Sequence, residues 1–165
     1  MNLFFDGSGN GYWGFLIEED EKVVHSESGY FQNISSNEAE YTGLLKGLTY
    51  ILNLRDRPKY FAVKGDSQLV IEQMNLRWKC NYSHLSKIRN RCFEILKMLA
   101  DSGTSYQLLW IPRRENRKVD KLIKEENDIT FLKENIKVPI REEKNVSFLK
   151  GKTKPVVKNK YNFGI

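Results

Sequence analysis

Asn2-Leu3-Phe4-Phe5-Asp6-Gly7-Ser8 is an apolar run that ends in one carboxylate and a glycine turn. Such a run reads as a β-strand that delivers Asp6 to its end. The fragment has two readings: an ordinary strand entering a turn, or the first ligand of a metal site. The second requires partners for Asp6 elsewhere in the chain.

Working outward, Gly9-Asn10-Gly11 allows a tight turn and the close approach of another backbone. Tyr12 to Glu18 and Lys22 to Phe31 are rich in aromatic and β-branched residues and are joined by the acidic turn Glu18 to Glu21, so the first three segments predict an antiparallel meander. Ser35-Ser36-Asn37 then offers a helix N-cap. Ala39, Leu44, Leu45, Leu48, Ile51 and Leu52 mark an apolar helical face reaching about Leu54. Glu38 and Glu40 share the first turn of that helix, about 200 degrees apart around its axis, so only one can look towards a common site.

After Pro58, Tyr60 to Lys64 predicts a strand that runs into Gly65-Asp66-Ser67, a second carboxylate at a strand end. Gln68 to Met74 reads as a short helix, Leu85 to Leu99 as a longer one closed by Gly103, and Ser105 to Ile111 as a last strand. Pro112 to Glu115 reads as a polar loop, and Asn116 to Glu126 as a helix with Asp120 near its start. Strands alternating with helices in this way predict an α/β domain, a mixed sheet with helices packed on it.

Size and charge narrow the function. At 165 residues and 40% hydrophobic content the chain can bury one core. The expected division is a catalytic domain over 1–128 and a basic C-terminal extension over 129–165. That extension holds nine Lys/Arg against three Glu and so accounts for the whole net charge of +6, the first 128 residues being balanced at 18 against 18. A neutral body with a cationic tail suggests a polyanionic partner, and a solvated extension is the other reading. The start has no cationic leader and Asp6 interrupts its apolar stretch, so no membrane association is expected and a cytoplasmic location is. Cys80 and Cys92 fit no close metal-ligand spacing and read as reduced core thiols.

Four acids therefore fall at element ends: Asp6, Glu40, Asp66 and Asp120. Carboxylates brought together repel one another, so such a group makes sense chiefly when divalent cations neutralise it, and hard oxygen ligands favour Mg²⁺ or Mn²⁺.

Asp6-Gly-Ser, Ser36-Asn-Glu-Ala-Glu-Tyr41, Gly65-Asp-Ser-Gln68 and Trp110-Ile-Pro-Arg-Arg-Glu-Asn-Arg-Lys-Val-Asp120 resemble, in order, the motifs of type 1 ribonuclease H. The likeness covers roughly residues 2 to 126 and is strongest to the compact archaeal-like branch, whose last motif has this Trp-x-Pro-Arg character. It implies the ribonuclease H-like fold: a five-stranded mixed sheet of order 3-2-1-4-5 flanked by helices. It implies endonucleolytic hydrolysis of the RNA strand of RNA·DNA hybrids, leaving 5′-phosphate and 3′-hydroxyl ends. By the same match Asp6 and Asp66 are shared ligands of two metal ions, Glu40 a ligand on the leaving-group side and Asp120 a ligand of the ion that activates the nucleophile. Two ions about 4 Å apart can activate water and stabilise a departing oxygen. Glu38 falls on a variable position and is expected to be a bystander.

For the substrate, the resemblance implies that the turn Gly7, Ser8, Gly9 reads RNA 2′-hydroxyls, that Asn37 and Gln68 reach bases in the minor groove, and that Ser35 with Asn37 holds a DNA phosphate. A plain helix cap explains Ser35 to Asn37 equally well. Many bacterial members carry a histidine in a glycine-rich loop before the final aspartate. This chain has Arg113-Arg114-Glu115-Asn116 there, so Arg113 or Arg114 is a candidate for contacting the scissile phosphate, with two solvated arginines in a polar loop as the other reading. His25 and His84 lie outside the motifs and read as structural. Trp78, after the short helix, is read as packing beneath Leu85 in preference to lying on DNA. Phe148, Tyr161 and Phe163 among the tail lysines suggest a grip on nucleic acid by charge and stacking, and a tail strand pairing with another chain is the other reading. A monomer is expected.

Overall fold

Along β1 (Asn2–Gly7) the side chains alternate: Leu3 and Phe5 are fully buried on one face, and Phe4 turns to the other, where it packs against Leu16 and the last helix. A strand that buries both faces belongs in the middle of a sheet, and β1 lies there. The computed structural model describes residues 1–135, and the remainder of the expected extension, with Phe148, Tyr161 and Phe163, lies outside the described residues.

Strands β2 (Tyr12–Glu19) and β3 (Lys22–Tyr30) complete an antiparallel meander with β1. On the other side of β1, β4 (Tyr60–Gly65) and β5 (Ser105–Trp110) add in parallel. The resulting order is β3-β2-β1-β4-β5, the five-stranded mixed sheet expected from the sequence. Parallel pairing requires crossovers, and the helices supply them. α1 (Ser36–Leu52) links β3 to β4, while α2 (Gln68–Met74) and α3 (Ser83–Asp101) link β4 to β5. After a 3₁₀ turn at Arg113–Glu115, α4 (Arg117–Asn135) follows β5.

The main core lies between the sheet and α1, α2 and α3, where Leu3, Phe5, Phe15 and Ile17 meet Leu44, Leu48, Leu85 and Leu96. Each such side chain removed from water contributes about 1.5–3 kcal/mol. A smaller cluster on the opposite face, Tyr12, Leu16, Val119 and Ile123, seats α4 across β1, β2 and β3. Cys80 and Cys92 are both free thiols, and burial pushes Cys92 up to about 12, which keeps it protonated and unreactive.

Most elements match the sequence reading to within one or two residues at each end, and two differ by more. The 112–115 loop is a 3₁₀ turn, and α4 runs through residue 128 to Asn135 instead of stopping near Glu126. No glycine or proline stands between Glu126 and Pro139 to break it.

Candidate active site

Parallel strands expose their C-terminal ends on one edge of a sheet. Asp6 leaves the end of β1, and Asp66 follows the neighbouring β4, which pairs with β1 in register from Asn2↔Ala62 to Phe5↔Gly65. Helix α1 comes down over β1 and brings Glu40. Its approach depends on two glycines. A side-chain carbon on Gly7 would run into the backbone of Ala39 and Glu40, and one on Gly43 would sit 2.6 Å from the Gly14 carbonyl oxygen and 2.8 Å from that of Asp6. Asp120 arrives on the first turn of α4.

These four carboxylates line one open cavity of about 280 Å³, together with Gly7, Ser8, Gly9, Ser36, Arg113 and Ile123. No three His, Cys, Asp or Glu side chains among the described residues form a ready-made ion cage; the acids form the walls of a cavity. Their electrostatics show the strain of proximity. Burial, and then the charges of Asp66 and Asp120, push Asp6 up to about 7 against one favourable hydrogen bond from its neighbour's N–H, Gly7 N to Asp6 Oδ1 at 2.8 Å. Burial, and then Asp6 and Asp66, push Glu40 up to about 9, and its Oε2 is buried with no hydrogen-bond partner. Asp120 goes the other way: hydrogen bonds from Lys124 Nζ (2.7 Å) and Arg113 Nη2 (2.8 Å) hold its carboxyl below the usual carboxylate value.

Hard oxygen donors, a buried carboxylate oxygen without a partner and acids raised by burial and then by one another form a donor set suited to divalent cations of the Mg²⁺ type.

The remaining expectations divide. Gly7, Ser8, Gly9 and Arg113 lie on the cavity; Ser35, Asn37, Gln68 and Arg114 do not line it. Arg114 is exposed beside Glu115 at 3.9 Å, so the arginine at the acids is Arg113. Ser35 forms a capping box with Glu38: its Oγ accepts from the Glu38 N–H at 3.3 Å, and Glu38 Oε2 accepts from the Ser35 N–H at 2.8 Å. Glu38 is thereby turned away from the cavity that Glu40 lines. Trp78 does not pack beneath Leu85. It is 46% exposed while Leu85 is buried, because the chain turns outward after α2 at Leu76, whose φ is +61°. His25 stacks on Tyr50 at 3.9 Å and His84 is an exposed neighbour of Tyr82, both away from the acids.

Three participants escaped the sequence reading. Ser36, expected only as part of a helix N-cap, lines the cavity. Lys124 stands four residues after Asp120, the helical spacing at which an acid and a lysine pair. Asn116 was read as the start of a helix and as the end of the polar segment before it; its side chain reaches Phe5 and Asp66, partners that local spacing does not reveal.

A family model described as reverse transcriptase-like matches residues 4–126. A protein named Ribonuclease HI from Halobacterium salinarum is 27% identical over 134 residues, covering 78% of this chain and 64% of that one. The crystal structure of RNase H1 from that archaeon superposes with a TM-score of 0.67 over 78% of this chain and 97% of that chain.

The chain belongs to this reverse transcriptase-like, ribonuclease H family.

Bifunctional protein Rv2228c of Mycobacterium tuberculosis is 32% identical over 119 residues, 72% of this chain. The ribonuclease H-family chain described here spans 31% of the length of that mycobacterial relative. LC11-RNase H1, whose structure was determined in complex with RNA/DNA hybrid, shares the fold at a TM-score of 0.67 and 24% identity, over 79% of this chain and 98% of that chain.

Proposed function

We propose that this ribonuclease H-family chain is a metal-dependent endonuclease that hydrolyses the RNA strand of RNA·DNA hybrids. The observation that carries this reading is the convergence of Asp6, Glu40, Asp66 and Asp120, from four separate elements, on one open cavity. The hybrid as substrate is supported by family membership, by the relative named Ribonuclease HI, and by the LC11 complex with hybrid on the same fold.

Asp6, Glu40, Asp66 and Asp120 are the residues that would hold the divalent cations of a two-metal site, Mg²⁺ or Mn²⁺ in its place, with Asp6 and Asp66 as the shared ligands, Glu40 serving the leaving-group side and Asp120 the nucleophile side. Such ions would supply activation of an attacking water and charge stabilisation for a departing 3′-oxygen, chemistry that leaves 5′-phosphate and 3′-hydroxyl ends. The chain's own work is to hold charge in place. Arg113 donates to Asp120 at 2.8 Å and orients it, and its guanidinium offers further donors to a phosphate at the cavity mouth. The turn Gly7 to Gly9 lines the same cavity and presents backbone groups to a 2′-hydroxyl, the group that distinguishes RNA from DNA. At Gly9 a side-chain carbon would meet nothing within 4 Å, so the bare backbone there is open to a ligand.

The test incubates purified protein with labelled RNA·DNA, RNA·RNA and DNA·DNA duplexes in Mg²⁺, Mn²⁺ or chelator. The expected result is cleavage of the hybrid's RNA strand that requires metal, yields 5′-phosphate ends, and disappears in Asp66→Asn. Cleavage in chelator, or full activity in that variant, defeats the reading.

A further inference from the structure

Asn116 stands just before α4, and its side chain is almost wholly buried at 1% exposure. An asparagine at a helix start ordinarily turns its carbonyl oxygen onto the N–H groups of the first turn. This one instead uses its amide nitrogen twice. Nδ2 donates to the Phe5 carbonyl at 2.9 Å and to Asp66 Oδ1 at 2.6 Å, while Oδ1 is buried without a partner. The orientation follows from chemistry, since both neighbours are acceptors and only the NH₂ end can meet them. Its backbone carbonyl meanwhile accepts from the N–H groups of Val119 at 3.1 Å and Asp120 at 3.2 Å.

One residue therefore touches the supports of three of the four acids. It fixes the backbone at Asp120, it holds β1 at the residue immediately before Asp6, and it grips the Asp66 carboxylate itself. A carboxylate has two oxygens, so a bond to one orients the group and leaves the other for a ligand. The peptide at Asp66 is held independently: Trp110 Nε1 donates to its carbonyl at 3.1 Å. The amide of Asn116 thus decides where the side chain points.

Resting on the functional reading above, we infer that Asn116 is a positioning residue: it holds Asp66 in its metal-ligating orientation and locks β1, β4 and α4 into one register around the cations. An unpaired buried carbonyl is tolerated because the amide's other end is committed to the site.

The experiment uses the full chain and Mn²⁺ as the probe, titrated by calorimetry without substrate, beside steady-state hybrid cleavage and thermal unfolding. Asn116→Ser keeps a preferred helix-capping side chain while removing the amide. Losing a partner that orients a metal ligand typically costs 10–100-fold in metal affinity or activity. The expected result is therefore an Mn²⁺ affinity lower by roughly 10–100-fold, a kcat reduced by a similar factor and a hybrid KM within about twofold of the parent. Leu99→Ala, in the core of α3 far from the acids, controls for lost stability: it is expected to melt lower and to bind Mn²⁺ like the parent. Parent-like Mn²⁺ affinity in Asn116→Ser overturns the inference, as does an equal loss in Leu99→Ala. If the parent cleaves hybrid and Asn116→Ser is unaffected, only this inference fails; if the parent neither binds Mn²⁺ nor cleaves hybrid, the functional reading fails and takes the inference with it.

Discussion

Asp6 and Glu40 are acids that the fold makes reluctant to ionise, and the sign of the consequence can be worked out. An acid whose pKa is higher in the folded than in the unfolded chain holds its proton more tightly when folded. Folding then gains stability at low pH and loses it as the pH rises from the unfolded value, about 4, through the folded one. For Asp6 that window closes near 7 and for Glu40 near 9. Asp120 contributes with the opposite sign: its bonds from Lys124 and Arg113 favour the ionised form, and that stability is lost as the pH falls through its lowered pKa. The metal-free protein should therefore melt at a falling temperature between pH 5 and pH 9 in scanning calorimetry. Asp6→Asn and Glu40→Gln should each flatten that slope and raise the melting temperature at pH 8 by several degrees. Protons and cations compete for the same oxygens, so Mg²⁺ should raise the melting temperature more at pH 8 than at pH 5. A flat profile in the parent, or variants that follow its slope, would remove the electrostatic account.

What brings the acids close is helix α1 lying almost directly on β1 and β2, and Gly43 sets that distance. An added methyl there meets the carbonyl oxygens of Gly14 and Asp6, both sheet backbone that has no flexible side chain to yield. Gly43→Ala is expected to cost about 1–3 kcal/mol in urea denaturation, as overpacking does. It should also lower kcat more than it changes hybrid KM, because the helix carries Glu40 away from Asp6 as it retreats. Wild-type stability with unchanged turnover would show that the helix accommodates the methyl by other means. The elements themselves were legible because their patterns are local. Alternation marks β1, the apolar positions from Ala39 to Leu52 mark α1, and Gly103 marks the end of α3. Gly43 was harder to read: inside a helical pattern a glycine looks like a weak helix former, and its purpose shows only once the sheet lies beneath it. Trp78 was misread for a similar reason, since a left-handed turn at Leu76 sends the chain outward with no glycine to announce it.

At the scale of the whole molecule, the site joins positions 6, 40, 66 and 120, and no spacing along the chain states that they meet. Their convergence follows from sheet order, because β1 and β4 are parallel neighbours ending at the same edge while α1 and α4 approach from opposite faces. The order of the motifs made the four acids recognisable, and the fold adds Asn116, which has a place in the site only through contacts 50 and 111 residues distant. Charge is divided just as unevenly. Residues 1–135, which hold the entire sheet and all four acids, carry 19 Lys/Arg against 19 Asp/Glu, and residues 136–165 carry eight against two. A neutral domain gains little general attraction to a polyanion, so the last thirty residues are expected to supply most of the salt-dependent affinity for hybrid. Each phosphate they neutralise adds roughly 0.7–0.9 to the slope of log affinity against log salt. Truncation after Asn135 should therefore weaken hybrid binding and make that slope shallower by several units, measured by fluorescence anisotropy from low to physiological salt in the Asp66→Asn background, which prevents cleavage. Turnover at saturating hybrid should remain close to the parent, since every proposed metal ligand is retained. An unchanged affinity and slope would place the attraction to hybrid within the neutral domain, on local groups such as Arg113 and the Gly7 to Gly9 turn.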